Sequence, residues 1–554
     1  MQVRGPDSQP SPKSGKAEEA PQYEAIIVGA GVCGIYQLYR LVELGMSVTV
    51  LEAGADLGGT WFWNRYPGAR FDSESYSYGY SFSKELLQEW DWKERFSAQP
   101  ENLRYLHHVA DKFDLRKHMQ FNCVVESAHF DDVAALWRLH LADGRDLTCR
   151  IFIPAIGVLS APTLPRYEGL NSFRGDSFHT YNWPQREIDF TGKRVAVIGT
   201  GATGVQIIGA IANKVGDLTV FQRRPNWCAP LHNSELSPGE MAAIKAHYDD
   251  IFAVCAHSPG GFVHVPDWRP FFSVPREERI AMWEKLYGEP GFGIWLGNFY
   301  DILVDEKANA EISAFIADKI RSRVNDPEVA EQLIPTDHGF GMQRVPLETS
   351  YYEAYNRDNV HLVNLQRTPI DRITPEGIKT SKANYAFDII IYATGFDAIT
   401  GSFDRIDIRG IDGQTLANKW AQGPVTFLGL QVSGFPNMIM PTGPQSGGPS
   451  TNFPRAIEIG VDWATDLLRF MRTYGYTREE ATLEAEQEWV GYVGNLYRHM
   501  LMRKTQSWFT GYNSNVRGHE KGTMRHQVYF GGTPKYRAKL KAVADGDYAG
   551  ISFK

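Results

Sequence analysis

Twice in this chain a short apolar run leads straight into Gly-x-Gly-x-x-Gly and then into a helix, and this repeated unit constrains the fold more than any other feature. The first copy is Ala25-Ile26-Ile27-Val28, then Gly29-Ala30-Gly31-Val32-Cys33-Gly34, an amphipathic stretch to Leu44, a break at Gly45-Met46, and a second apolar run, residues 47–51, ending on Glu52. The second copy is Arg194-Val195-Ala196-Val197-Ile198, then Gly199-Thr200-Gly201-Ala202-Thr203-Gly204, a helical stretch to Ala212, and an apolar run at residues 218–221. Short apolar runs of this kind read as strands of a parallel sheet covered on both faces. The glycines allow a tight turn and let the backbone approach a pyrophosphate at a helix N-terminus. The expected fold class is therefore α/β, with two Rossmann-like dinucleotide-binding domains.

The two copies end differently. Glu52 stands about twenty residues after the first turn, where a carboxylate accepts ribose hydroxyls and disfavours a 2′-phosphate, so the first ligand is FAD or NAD. The second copy ends on Gln222-Arg223-Arg224, and guanidinium groups there suit the 2′-phosphate of NADP. A basic surface turn is the other reading. Thr200, Ala202 and Thr203 of the second turn and Gln206 on the following helix count with the second site, and Cys33 with the first. Two different dinucleotides on one chain imply hydride transfer from NADPH to a flavin.

After the first unit comes Gly58-Gly59-Thr60-Trp61-Phe62-Trp63-Asn64-Arg65-Tyr66-Pro67-Gly68-Ala69-Arg70-Phe71-Asp72. It reads either as a packed surface loop or as a loop passing a planar ring system and delivering Asp72 beside it. Gly59, Thr60, Trp61 and Arg70 are cofactor-binding candidates in the second reading, and Tyr78 and Val125 could touch the same group. The 554 residues exceed what one core usually holds, and a net charge of -8 gives no basic footprint for nucleic acid and no polybasic patch for a membrane. Five scattered cysteines without Cys-x-x-Cys spacing argue against a metal site or a redox dithiol and for a reduced, cytoplasmic protein. No apolar run is long enough to span a bilayer. Residues 1–20, rich in Ser, Pro, Lys and Glu, read as a disordered tail and not as a signal peptide.

Between the two glycine turns lies Phe173-Arg174-Gly175-Asp176-Ser177-Phe178-His179-Thr180-Tyr181-Asn182-Trp183-Pro184. It is an aromatic linker on its face. Phe173, Gly175, His179, Trp183 and Pro184 match Phe-x-Gly-x-x-x-His-x-x-x-Trp-Pro/Asp, and Gly59-x-Trp61 to Tyr66-Pro67-Gly68-x-x-x-Asp72 matches a second signature. With both signatures flanked by both glycine turns, the chain from about Tyr23 onward resembles the type I Baeyer–Villiger monooxygenases. That resemblance implies FAD and NADPH as cofactors, O2 and a small-molecule ketone as substrates, and a C4a-peroxyflavin that converts the ketone to an ester or lactone. It also implies that Arg344, in Met342-Gln343-Arg344-Val345-Pro346, stabilises negative charge at the flavin, that Asp72 pairs with Arg344, and that His179 and Trp183 couple the domains without acting as acid or base. The family segment usually reads Lys-Arg-x-Pro, so Gln343 departs from it at a 2′-phosphate contact, and Arg224 beside Arg223 is expected to offset the loss.

The resemblance further implies that Trp508, in Ser507-Trp508-Phe509-Thr510-Gly511-Tyr512-Asn513, reaches NADP. Residues 441–453 form a Gly/Pro-rich loop before a helix, with Phe453 facing the substrate; a plain surface loop is the other reading. Residues 231–335 lack alternation and glycine turns, and residues 277–287, 310–323 and 327–333 read as helices, so a helical insertion into the NADP domain is expected. Its aromatics, Trp268, Phe271, Phe272, Trp283, Trp295, Phe299 and Tyr300, are expected to pack that subdomain. The expected plan is an FAD-binding domain at 21–160 and 386–554, an NADP-binding domain at 161–230 and 336–385, the insertion between, and a C-terminal loop over the NADP site. The apolar run at 387–392 is assigned to the return into the FAD domain. Three alternatives stay open. A sulfide- or amine-oxidising flavin monooxygenase typically carries Tyr in place of Trp183; a disulfide reductase needs a cysteine pair near the flavin; a non-catalytic flavin-binding module needs no second site. Oligomeric state is not legible.

Overall fold

The computed structural model describes residues 20–448, 451–519 and 524–554. The expected disordered tail at 1–20 thus lies, but for its last residue, outside the described residues, as do Pro449 and Ser450 of the glycine-rich loop. Two sheets organise the chain, the first mixed and the second all parallel. The first has seven strands in the order Asp407–Arg409, Val125–Asp131, Leu136–Leu141, Asp146–Pro154, Tyr23–Val28, Val48–Leu51, Met119–Gln120. Tyr23–Val28 runs parallel to both its neighbours, and the strands at 125–154 form an antiparallel meander beside it. The second sheet has five parallel strands in the order Val360–Asn364, Asp217–Gln222, Arg194–Ile198, Ile389–Tyr392, Asp176–His179. Central strands such as Ala25 to Ile27 and Val195 to Val197 are fully buried, as sheets covered by helices on both faces require.

The sheet order corrects the expected plan at one boundary. Strand Ile389–Tyr392 does not return the chain to the first domain; it is inserted in the second sheet between Arg194–Ile198 and Asp176–His179. An apolar run carries no mark of which sheet it joins, and the register is set by the strands that flank it. The stretch at 173–184 is likewise more than a linker, because its residues Asp176–His179 form the edge strand of the second sheet.

The two domains are joined by two connectors that run side by side. One leaves the first sheet after Ala155, the other leaves the second after Ala393. They are zipped by hydrogen bonds from Thr163 N to Gly395 O (2.9 Å), Asp397 N to Ala161 O (2.8 Å) and Ile399 N to Val158 O (2.9 Å), and by the Thr394 hydroxyl to Thr163 O at 2.5 Å.

The insertion is helical, with Arg276–Gly288, Glu306–Arg323 and Pro327–Leu333 close to the expected segments. Two further helices, Pro238–Ala246 and Tyr248–His257, precede them. Their Met241 and Tyr248 are buried in the core of the first domain, whereas Phe271, Trp283 and Phe299 share a core with the second sheet. The insertion therefore grips both domains. Trp268 and Phe272 depart from the expectation that the aromatics pack it, being 61% and 56% exposed.

Candidate active site at the domain junction

The two glycine turns are near copies in space as well as in sequence. Gly29 and Gly199 have φ of +106° and +110°, and a Cβ at either would lie 2.5 Å from Ala155 O or 2.4 Å from Ala393 O. Only glycine fits such a position. A Cβ on Gly34 or Gly204 would lie 1.8 Å or 2.2 Å from the carbonyl of the turn's first glycine, so each helix starts hard against its strand. At Gly201 a Cβ would meet nothing within 4 Å, and at Gly31 only Gly59 comes that near, at 3.4 Å. Both turns thus leave open space in front of a helix N-terminus, where unpaired N–H groups favour phosphate. The residues present fit a dinucleotide pyrophosphate at each turn.

Around the first turn, Glu52 is buried and accepts from Ala30 N and Gly54 N, both at 2.7 Å. Burial raises its pKa and these two hydrogen bonds oppose that. Cys33 is buried in the first helical turn, where burial pushes its thiol up to about 12 against a hydrogen bond with the Thr442 side chain, so the 441–453 loop adjoins this turn. Thr60 begins a short helix after Gly59, Trp61 Nε1 donates to Tyr78 Oη at 2.9 Å, and both rings are buried. Val125 is buried at the start of its strand, after Cys123 N donates to Glu52 O at 2.8 Å.

Asp72 and Arg344 stand where three parts of the chain meet. Arg344 Nη1 lies 2.7 Å from Asp72 Oδ2, with the Asp72 side chain 1% and that of Arg344 28% exposed. Asp72 Oδ2 also accepts from Leu347 N at 3.2 Å, and Oδ1 accepts from Gln206 Nε2 at 3.2 Å. Gln206 belongs to the helix of the second turn, yet it donates to Arg70 O at 3.0 Å and accepts from Tyr66 Oη at 2.8 Å. The first domain's aromatic loop, the second domain's nucleotide helix and the 343–348 segment are thereby tied around one buried carboxylate. The Arg344 guanidinium lies over the Phe292 ring, 5.6 Å from its centroid. The Arg70 guanidinium is turned away, to Phe96 O (2.9 Å) and Glu94 (3.5 Å), so only its carbonyl joins the cluster.

At the second site Arg223 donates to Ser514 Oγ. Burial foremost, and then neighbouring Arg224, lower the pKa of Arg223. Arg224 is paired with Asp337 at 3.3 Å, donates to Gln506 O at 3.2 Å and lies over the Tyr512 ring. Gln343 is half-buried beside Arg344. The C-terminal loop thus contacts both arginines, of which Arg223 stays exposed. Trp508 is half-buried and, with Phe453, packs against Val158, Ala398 and Ile399 on the domain connectors.

His179 faces those same connectors. Its Nδ1 accepts from Tyr181 N at 3.1 Å and its ring meets Phe396 edge-on. Burial lowers its pKa to about 4, against the opposing effect of the Gly395 and Thr163 backbone. Phe173 is half-buried against the second domain's core, Gly175 is pressed against Asp388 O, and Trp183 is buried beside Phe178. Sequence reasoning missed Tyr181, which stacks on Trp63 of the first domain's loop with centroids 5.5 Å apart. Its place inside the 173–184 stretch was the available signal. Among the described residues no group of three or more His, Cys, Asp and Glu could hold a metal ion, and no helix is long and apolar enough to cross a membrane.

A family model described as "FMO-like: Flavin-binding monooxygenase-like" matches residues 23–246. The chain is 46% identical to 2-oxo-Delta(3)-4,5,5-trimethylcyclopentenylacetyl-CoA monooxygenase of Pseudomonas putida, over 96% of this chain and 98% of that one. It is 38% identical to a Baeyer-Villiger monooxygenase of Pseudooceanicola batsensis, over 96% of each. A crystal structure of OTEMO in complex with FAD and NADP superposes with a TM-score of 0.93 at 45% identity, covering 97% of this chain and all of that one.

Proposed function

The chain belongs to the Baeyer–Villiger monooxygenases, and from that membership we propose how its residues divide the work of turning a ketone, O2, NADPH and a proton into an ester or lactone, water and NADP+. FAD belongs at the first glycine turn and NADPH at the second. FAD, when bound, supplies the two-electron carrier and the centre at which O2 is activated.

The observation that carries the residue assignment is the Asp72–Arg344 ion pair, buried on the Asp72 side and held by Gln206 from the nucleotide helix. A guanidinium remains protonated at any working pH. Fixed beside the buried Asp72 carboxylate, it favours the negative charge that develops on the substrate's carbonyl oxygen as oxygen adds to it. Asp72 accepts from Arg344, Leu347 N and Gln206, which aims the guanidinium without neutralising it by proton transfer. Gln206 reports the position of the nucleotide helix to that carboxylate. Phe453, next to Trp508, forms part of the wall facing the ketone.

At the second turn Arg223 and Arg224 recognise the 2′-phosphate in the absence of a lysine at Gln343. Ser514, Gln506 and Tyr512 already contact these arginines, so the C-terminal loop closes over the nucleotide and carries Trp508 against the connectors. His179 stays neutral and acts as a packing element where the two connectors meet.

The deciding experiment is a ketone panel with NADPH under 18O2. Ketone-dependent NADPH oxidation yielding an ester with one labelled oxygen supports the reading. Oxidation of sulfides or amines with no ester from any ketone would move the chain to heteroatom oxidation.

A further inference from the structure

Beside Phe292, whose ring lies under the Arg344 guanidinium, an acid–imidazole contact is built into the junction. Glu74, two residues beyond Asp72, is buried, and its Oε1 lies 2.9 Å from Nε2 of His264 in the insertion. The same His264 Nε2 lies 3.2 Å from the Phe292 backbone N–H. Phe292 is the residue whose ring lies under the Arg344 guanidinium. Gly291, at φ +86°, makes the approach possible: a Cβ there would lie 2.6 Å from Glu74 Oε1 and 3.0 Å from His264 Nε2. Phe292 is further wedged by Phe262 and Trp295, with centroids 5.3 and 5.6 Å away.

We propose that Glu74 and His264 are positioning residues for Arg344, acting through the Phe292 backbone to set where the aromatic floor under the guanidinium lies. A ring nitrogen cannot donate to Glu74 and accept from Phe292 at the same time. Only the arrangement with Nε2 unprotonated holds the Phe292 amide. When Nε2 carries the proton it donates to Glu74, and the amide is released. The contact therefore has two arrangements, and the Arg344 floor is fixed in one of them. The proton absent from Nε2 in the holding arrangement sits on Nδ1, so the two arrangements are tautomers of one neutral imidazole. Arg344 is held in this way by two partners: Asp72 accepts from its guanidinium, and the Glu74–His264–Phe292 chain fixes the ring on which it rests.

The proposal rests on the reading of Arg344 given above, and its test separates the two. In flavin-loaded enzyme, His264→Ala should speed hydrogen exchange at the Phe292 amide at least tenfold and lower the ester formed per NADPH consumed several-fold, with kcat for ester falling more than KM for ketone changes. Flavin reduction by NADPH should stay within twofold of wild type. His264→Gln, whose side chain offers separate acceptor and donor atoms, should restore most of both the protection and the coupling, which a loss of packing alone would not explain. Unchanged coupling despite lost amide protection overturns the proposal, as does lost coupling with the amide still protected. If Arg344→Ala itself forms ester at the wild-type rate, the Arg344 reading fails; if only that variant loses ester, the positioning role fails alone.

Discussion

Replacing Asp72 by Asn tests how much of the site depends on a carboxylate at this point. Asp72 serves three donors with two oxygens: Gln206 Nε2 at Oδ1, and Arg344 Nη1 together with Leu347 N at Oδ2. Asn offers one acceptor oxygen. Whichever way its amide is turned, either Gln206 or the Arg344–Leu347 pair faces an NH2 group. Breaking a buried ion pair by removing one partner costs roughly 3–5 kcal/mol. The Arg344 side chain is 28% exposed and can recover some hydration, which favours the lower end of that range. The guanidinium also keeps its contacts with the Phe292 ring and Val345 O, so only part of the loss reaches the reaction. With about 1.4 kcal/mol per tenfold in rate, Asp72→Asn should lower kcat for ester roughly 10- to 100-fold. The assay is ester and hydrogen peroxide per NADPH consumed, with stopped-flow reduction of the flavin as control. Reduction should be little changed while peroxide replaces ester. Wild-type ester formation with full coupling would refute the argument.

Three further outcomes follow from the same geometry. Arg223→Ala should lower kcat/KM for NADPH roughly 10- to 100-fold, as expected for about 1.5–3 kcal/mol from a hydrogen bond to a charged group, and barely change it for NADH; an equal fall for both would remove Arg223 from 2′-phosphate recognition. His179, with a pKa lowered to about 4 by burial, should give an NMR ring signal that stays neutral from pH 8 to pH 5. Its contribution to stability is present above the ordinary histidine value and is lost as pH falls through about 4, and His179→Ala should slow turnover while both dinucleotides still bind; an imidazolium signal at pH 6 would contradict the packing role. Glu479 is buried, and burial, reinforced by Glu480, lifts its pKa to about 8, so its neutral form stabilises the fold below its ordinary value and that contribution is lost as pH rises through about 8. Glu479→Gln should therefore gain thermal stability relative to wild type between pH 6 and pH 9, and a relative loss over that range would contradict the assignment.

What was legible in the sequence was what is local in it. Each glycine turn, its strand and its helix occupy about twenty consecutive residues, and the steric reason for glycine at 29, 34, 199 and 204 lies within that unit or one strand away. Strand Ile389–Tyr392 was placed in the wrong domain because its two partners lie far back in the chain, at 176–179 and 194–198, and hydrophobicity does not identify them. The helices at 238–257 were missed for a related reason: each has a single strip of contact with the first domain, and most of their residues remain outside the core. Asp72 and Arg344 were legible only through family signatures, since no spacing rule joins residues 72 and 344. Gln206, Phe292, Glu74 and His264 meet around them through tertiary contacts alone, and neither their identity nor their spacing advertises the cluster. The packing of Trp508 was not legible because its partners, Val158, Ala398 and Ile399, belong to connectors with no regular hydrophobic period.

The most direct test of the account is a single-turnover comparison of wild type and Arg344→Ala, in which each enzyme is loaded with FAD, reduced by one equivalent of NADPH, and mixed with O2 and a ketone that wild type accepts. Losing one such charge-stabilising donor typically costs roughly 3–4 kcal/mol. Arg344→Ala should hold FAD and be reduced by NADPH at near the wild-type rate, yet reoxidise to hydrogen peroxide with no measurable ester. Ester formed at the wild-type rate and yield would contradict the account.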